Sequence, residues 1–286
     1  MRIKKFLIGY FMIAFISGIA LSVWRMILMV RYYDPYNNEY ALEATGSLKS
    51  LGIVLFIVFV ILATVAPVLR RFEFQTFSAS DHQSSVFTSA LVGFVFLASG
   101  VFATFYLKPI LENSVSPLYK YAQTVSYSLL FLCAVFFIIN ASGHPRFNNL
   151  KKLLSLVTPI WGVAFLIGSY LDPAYNYKDY NHTLCNVAIC ALILFFLYDA
   201  QMLVTGKATC AYFVFSLISL TASMVYMIPT FVLLAYWELS SNIGYIFEAV
   251  LLATIFYTCT SIRNLCKAVK EKEKPEIQPE ATEMSA

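Results

Sequence analysis

The stretch WRMILMVRYYDP, residues 24–35, closes the first long apolar segment of the chain with charged, aromatic and helix-breaking residues. The apolar segment, residues 6–30, exceeds the roughly 20 residues that a helix needs to cross a hydrocarbon core about 30 Å thick. Asp34-Pro35 then stops the helix, because a proline pushes the preceding residue out of helical geometry. The stretch therefore predicts a membrane-spanning helix that ends in an aromatic Asp-Pro turn.

A weaker copy of this ending occurs near the middle of the chain, where Trp161 begins an apolar run in the way that Trp24 leads into the first ending. The repeated loop motif comprises Tyr32, Asp34 and Pro35 in the first copy and Tyr170, Asp172 and Pro173 in the second. Two halves, residues 1–142 and 143–270, would then each hold four helices in the same orientation. Because Asp-Pro is a common helix stop, two unrelated helix ends could also share it. The motif thus suggests a 4+4 parallel repeat without establishing one.

The composition indicates a membrane protein. Of 286 residues, 59% are apolar and only 13% are charged, which does not fit a water-soluble globule. Eight stretches are long and apolar enough to span a bilayer: residues 6–30, 51–69, 86–107, 121–140, 153–171, 183–204, 209–234 and 241–262. We therefore expect an all-α, polytopic integral membrane bundle of about eight transmembrane helices within residues 1–270.

The distribution of lysine and arginine predicts the orientation of this bundle. If the N-terminus is cytoplasmic, 14 of the 20 basic residues fall on the inner side. Cytoplasmic loops of membrane proteins carry such an excess, so we expect both termini in the cytoplasm and an even number of helices in the cell (plasma) membrane. Residues 271–286 are charged and contain proline, and we interpret them as a disordered cytoplasmic tail.

Several classes of function find no support in the sequence. The basic residues form no stripe that could follow phosphates, so a nucleic-acid partner is not expected. The six cysteines lack paired spacing, and the three histidines, His82, His144 and His182, lie in separate polar connections, so no metal or other cofactor is expected. Motifs of hydrolases, zinc proteases and phosphate-binding loops are also absent, and we expect no enzymatic activity.

Two charged residues within the predicted helices point to a buried site. A charge near the middle of a membrane costs at least about 2.5 to 3.5 kcal/mol and persists mainly with a partner or in a water-filled cavity. Arg25 and Glu248 both lie roughly 9 to 11 Å below the outer surface, judged from the helical rise per residue. Because their depths match and their charges are opposite, we expect them to pair.

Aromatic residues lie at the same level, and Pro229 should weaken the backbone hydrogen bonding beside them. The predicted outer-half cavity comprises Trp24, Arg25, Tyr226, Tyr245 and Glu248. One hypothesis is that this cavity binds a small polar or anionic ligand. Two alternatives remain open: a structural ion pair that locks the first helix to the eighth, or an Arg25 side chain that extends outward to water.

Asp199 is the third charged residue within a predicted helix, about five residues from the inner end of the sixth. We interpret it as a carboxylate that reaches cytoplasmic water. The alternative is an inner polar site that exchanges protons with the cytoplasm, although the sequence offers no second inner carboxylate for a relay.

The sequence thus favours a multi-pass membrane protein, similar to a transporter, that binds or translocates a small polar or anionic ligand through an outer-half cavity. The alternative is a noncatalytic membrane subunit or sensor that acts with a partner membrane or cytoplasmic protein. In either case the lipid bilayer is the first partner of the chain.

Overall fold

The architecture is described from a computed structural model, which describes residues 2–34, 39–69, 72–74, 83–107, 116–172, 180–236 and 244–271. Its α-helices, in chain order, are α1 Arg2–Tyr32, α2 Thr45–Ala63, α3 Val65–Leu69, α4 Gln83–Phe102, α5 Pro117–Ser142, α6 Asn148–Leu154, α7 Val157–Tyr170, α8 Tyr180–Thr205, α9 Cys210–Tyr236 and α10 Gly244–Ala268. A five-residue π-helical turn, Ala103–Leu107, extends α4.

Eight helical segments of the described chain are long and apolar enough to cross a membrane, which confirms the prediction of a multi-pass helical bundle. These spans are Ile3–Tyr32, Leu42–Leu69, Ser85–Tyr106, Pro117–Ser142, Pro145–Tyr170, Tyr180–Thr205, Cys210–Val232 and Glu248–Lys267. Because the number of spans is even, the beginning of α1 and the end of α10 lie on the same side of the bundle. We call this side the N-terminal face and the opposite side the distal face.

Proline explains why two of the spans are each built from two helices. The second span breaks at Thr64 between α2 and α3, and the fifth breaks at residues 155–156 between α6 and α7. Each break lies three or four residues before a proline, Pro67 or Pro159, which cannot donate a hydrogen bond to the carbonyl four residues earlier. The breaks in these two spans therefore follow from the position of the prolines.

Short strands accompany the helix ends on both faces. On the distal face, β1 (Tyr33–Asp34) pairs with β2 (Glu39–Tyr40) in antiparallel fashion. On the N-terminal face, β3 (Phe72–Phe74) pairs with β4 (Val269–Glu271), which joins the loop after the second span to the end of α10. The strand β4 includes Glu271, the first residue of the predicted tail, whereas residues 272–286 lie outside the described residues.

The spans pack as a ring with two additions. Helices α4, α5, α7, α8, α9 and α10 each contact the next, and α10 returns to α4. Outside this ring, α1 packs along α9, and α2 contacts both α1 and α9. In the apolar stretch of α9, 78% of the residues are buried inside the bundle, whereas in that of the second span only 22% are buried. The seventh span is therefore the central helix, and the second span presents most of its surface to lipid.

Small and hydroxyl-bearing residues bring α1 and α9 close together, as is common in membrane helix interfaces. The hydroxyl of Ser22 on α1 donates to the carbonyl of Met224 at 2.9 Å, and Thr221 on α9 donates to the carbonyl of Ala14 at 3.2 Å. A Cβ atom at Gly18 would lie 3.0 Å from the Met224 sulfur, so a larger residue would require the Met224 side chain to shift. This seam fixes the position of Arg25, two turns further along α1.

Helix packing lends no support to the predicted 4+4 repeat. In such a repeat, the pair of α8 and α9 would be equivalent to the pair formed by the second and third spans. The helix α8 packs along α9. In the described part of the chain, however, α4 makes at most slight contacts with α2 or α3. The loop motifs also differ: Asp34 lies in a hairpin strand, and Asp172 follows the end of α7 and accepts a long, 3.4 Å hydrogen bond from the Tyr119 hydroxyl. Pro35 and Pro173 lie outside the described residues, and the repeat stays a prediction.

Candidate functional site

Arg25 lies at the centre of a buried polar cluster in the distal half of the bundle. Its side chain is 0% exposed, so the alternative in which Arg25 extends to water is wrong. The first terminal nitrogen, Nη1, donates to the carbonyl of Val225 at 2.9 Å and to that of Tyr226, and Nη2 donates to Asn181 Oδ1 at 2.8 Å and to Thr230 Oγ1 at 3.1 Å. We call Arg25, Asn181, Tyr226, Thr230 and Glu248 the Arg25 cluster.

Pro229 explains why a carbonyl of α9 is free to receive an arginine. In a regular helix the carbonyl of Val225 would accept a hydrogen bond from the backbone nitrogen of residue 229, but proline has no N–H. Arg25 Nη1 supplies the missing donor at 2.9 Å. In an environment without water, the hydrogen bond from Arg25 satisfies the Val225 carbonyl, which would otherwise remain unpaired. Pro229 thus leaves the carbonyl of Val225 without its backbone donor, and the hydrogen bond from Arg25 to this carbonyl holds α1 against α9.

Tyr226 lies between the two opposite charges. The Cζ atom of Arg25 is 5.3 Å from the centroid of the Tyr226 ring, a cation–π arrangement, and the Tyr226 hydroxyl donates to Glu248 Oε1 at 3.2 Å. Glu248, on α10, is 3% exposed. The prediction that these charges are close partners at one level needs a correction, because they share Tyr226 as an intermediary and form no direct ion pair.

The remaining predicted members of the outer cavity have different outcomes. Trp24 is half-buried and packs on a small apolar cluster of Leu28, Ala44 and Leu48 beside the Arg25 cluster. Tyr245 is the second residue of α10, and its side chain is not part of the described structure. The structure therefore brings together Arg25, Tyr226 and Glu248, whereas Trp24 packs on the apolar cluster.

A second buried polar cluster surrounds Asp199 in the half of the bundle nearer the N-terminal face. Asp199 is 2% exposed, so the interpretation that it reaches water is wrong. Its Oδ1 accepts a hydrogen bond from the Tyr212 hydroxyl at 2.9 Å, and its Oδ2 accepts one from the Tyr257 hydroxyl at 3.0 Å. The two tyrosines, one on α9 and one on α10, bury the carboxylate and hold it in one orientation.

Amide and hydroxyl groups from two further helices complete this cluster. Asn140 on α5 donates to Ser89 Oγ at 3.0 Å, and Asn264 on α10 donates to Ser85 Oγ. The second cluster, which we call the Asp199 cluster, comprises Ser85, Ser89, Asn140, Asp199, Tyr212, Tyr257 and Asn264. All seven residues border one cavity of about 30 Å³, enough for about two water molecules.

Sequence reasoning missed most of the uncharged members of both clusters. Asn181 lies just before the sixth predicted span, and its Oδ1 accepts hydrogen bonds from both Arg25 and the Tyr40 hydroxyl. Asn140 and Asn264 lie within apolar helices, where an amide is also costly without a partner. An amide within a predicted span is a signal that identifies Asn140, whereas Asn264 lies two residues beyond the predicted end of the eighth span at residue 262.

Comparisons of the chain with protein-family models, with curated proteins and with solved structures find no match. The chemistry of the two clusters is therefore argued from their own residues. The Arg25 cluster offers a cation and an anion on either side of an aromatic ring, which suits a ligand with polar groups of both kinds. The Asp199 cluster offers one anion among hydroxyl and amide groups.

Proposed function

We propose that this protein binds or translocates a small polar or anionic ligand at the Arg25 cluster. In this proposal the chain resides in the cell membrane with both termini in the cytoplasm, so that the distal face is extracytoplasmic. The observation that carries the proposal is a pair of unused groups: Arg25 Nε and Glu248 Oε2 are buried, and neither has a hydrogen-bond partner in the described chain.

Unpartnered groups of this kind are costly inside a membrane, where no lipid group can replace water. An N–H of a guanidinium attracts an acceptor, above all an anionic one, and a carboxylate oxygen attracts a donor. A small ligand that carries both an acceptor and a donor would satisfy Arg25 and Glu248 together. The Tyr226 ring beside them would pack against the apolar part of such a ligand.

Thermal unfolding of the purified, detergent-solubilised protein tests this proposal. A library of small polar and anionic compounds is screened for stabilisation, since a ligand that binds only the folded state raises its stability. The variants are Glu248→Gln, which removes the charge at the cluster, and Glu43→Gln, which makes the same change at an exposed position on the distal face.

We expect a compound that raises the melting temperature of the wild type and of Glu43→Gln but has lost this effect on Glu248→Gln. If no compound stabilises the wild type, or if stabilisation is the same in all three proteins, the Arg25 cluster is not a ligand site.

The alternative function is that of a noncatalytic subunit or sensor whose output comes from a partner protein. It is favoured by the four hydrogen bonds that Arg25 already makes to α8 and α9, because these act as a structural lock whether or not a ligand binds. A neighbouring gene for an ATPase, a kinase or a regulator would support this alternative. Ligand-dependent stabilisation that is lost in Glu248→Gln would count against it.

A further inference from the structure

The cavity beside Asp199 is rich in oxygen atoms that can accept a hydrogen bond or a cation. Its polar lining includes the Asp199 carboxylate, the amides of Asn140 and Asn264, and several serine and threonine hydroxyls. The lining residues that the structure describes include no lysine, arginine or histidine. We propose that this cavity is a binding site for a small monovalent metal cation of the sodium type.

Two buried amide oxygens are the first argument for a cation. Asn140 and Asn264 are each 1% exposed, and their amide nitrogens donate to Ser89 and Ser85. Their Oδ1 atoms are buried and accept no hydrogen bond within the described chain. Two orphaned acceptors around one cavity require either a donor or a cation from outside the protein.

The charge of the lining is the second argument, and it selects the valence of the ion. Asp199 is the one carboxylate among the described lining residues, and a monovalent cation would neutralise it. A divalent cation would leave a net positive charge in an apolar bundle, which is expensive in a low dielectric. Lys151 on α6 attracts Asp199 electrostatically but is not one of the residues that line the cavity.

The fixed geometry of the carboxylate is the third argument. Tyr212 and Tyr257 each donate to one oxygen of Asp199, which orients the carboxylate but leaves further lone pairs on both oxygens. Oxygen ligands from carboxylates, amides and hydroxyls are those that hard cations prefer. A cavity of about 30 Å³ has room for such an ion with about one water molecule, but not for an organic substrate.

The cation site is independent of the ligand site proposed at the Arg25 cluster. Glu248 and Tyr257 are both on α10, nine residues apart, which is roughly 14 Å along a helix axis. A change at Asp199 therefore removes no group of the Arg25 cluster. Failure of one proposal leaves the other intact, because the two are tested with different probes and different variants.

The test compares sodium, potassium and choline chloride at the same concentration and at mildly alkaline pH, where protons compete least with the metal ion. The full-length protein in detergent is followed by thermal unfolding. We expect sodium to raise the melting temperature of the wild type by about 2 °C or more relative to choline. A wild type that is equally stable in sodium, potassium and choline would show that the cavity holds water only, and would overturn the proposal.

Variants then assign the effect to the cavity. Asp199→Asn should abolish the difference between sodium and choline, whereas Asp172→Asn, a carboxylate change on the distal face, should leave it unchanged. If Asp199→Asn does not fold, Asn140→Asp replaces it: a second carboxylate in the lining should shift the preference from sodium to a divalent cation such as calcium. A sodium effect that persists in Asp199→Asn, or a cation preference that Asn140→Asp leaves unchanged, would place the ion elsewhere and overturn the proposal.

Discussion

The Arg25 cluster and the Asp199 cluster both stabilise a buried carboxylate, but they differ in whether a protein cation lies beside it. Each buries a carboxylate in an apolar bundle and holds it with a tyrosine hydroxyl, Tyr226 in one case and Tyr212 and Tyr257 in the other. The Arg25 cluster contains its own cation, whose four hydrogen bonds join three helices. The Asp199 cluster borders a cavity whose described lining contains no cation.

The difference shows how a buried charge can serve either structure or binding. Most of the N–H groups of Arg25 donate to backbone and side-chain oxygens of α8 and α9, so removal of Arg25 would leave several acceptors unpaired. Asp199 accepts hydrogen bonds from two tyrosine hydroxyls. The amide oxygens of Asn140 and Asn264, at the same cavity, accept no hydrogen bond within the described chain. We therefore expect substitutions in the first cluster to affect stability and those in the second to affect the response to ions as well.

The largest effect should come from Arg25→Leu. This change removes the donors to Val225, Tyr226 and Asn181 and leaves Glu248 as a buried charge without its cation. We expect the free energy of unfolding to fall by about 3 to 5 kcal/mol, the range found when one partner of a buried charged network is removed. Denaturant titration in mixed micelles measures this change.

The matched control is Arg31→Leu, which removes an exposed arginine from the last turn of the same helix. Its unfolding free energy should stay within about 0.5 kcal/mol of the wild type. If Arg25→Leu is equally mild, the hydrogen bonds from α1 to α9 are not what holds the Arg25 cluster together, and the contrast between the two clusters disappears.

A smaller effect is expected when both tyrosines of the Asp199 cluster lose their hydroxyls. The double variant Tyr212→Phe, Tyr257→Phe keeps the rings in the aromatic core but removes both donors to Asp199. We expect a loss of about 1 to 3 kcal/mol for the two bonds together, since a typical intramolecular hydrogen bond contributes a net of roughly 0.5 to 1.5 kcal/mol. Sodium should recover part of this loss if it binds the carboxylate, and unfolding in sodium and in choline measures that recovery.

The sequence predicts those features that depend on hydropathy and local geometry. The eight spans follow from apolar length and the helix breaks follow from Pro67 and Pro159, whereas the equal depth of Arg25 and Glu248 stays a prediction from the helical rise. Tertiary neighbours do not follow from such patterns. Nothing local to residue 25 indicates that α1 packs on α9, and nothing local to Asp199 indicates that tyrosines from two other helices donate hydrogen bonds to it.

A still smaller effect should follow from Tyr226→Phe. The ring remains beside Arg25, and the guanidinium still attracts Glu248 across the same distance, so only one hydrogen bond is lost. We expect a cost of about 1 kcal/mol, since interhelical hydrogen bonds in membrane proteins average about 0.6 kcal/mol. A double-mutant cycle with Glu248→Gln measures the coupling between the two side chains. Additive effects would show that the tyrosine does not link the two charges.

The smallest effect in the wild type, and the most specific, is expected for Pro229→Ala. An alanine supplies the backbone N–H that Val225 lacks, but the carbonyl already accepts from Arg25, so stability should change by less than about 0.5 kcal/mol. In the Arg25→Leu background the same carbonyl has lost its donor, and Pro229→Ala should recover about 0.5 to 1.5 kcal/mol, the net value of one hydrogen bond. Denaturant titration of the two single variants and the double variant measures this difference. Equal effects of Pro229→Ala in both backgrounds would mean that arginine does not replace the missing backbone donor, because only a shared acceptor makes the two substitutions depend on each other.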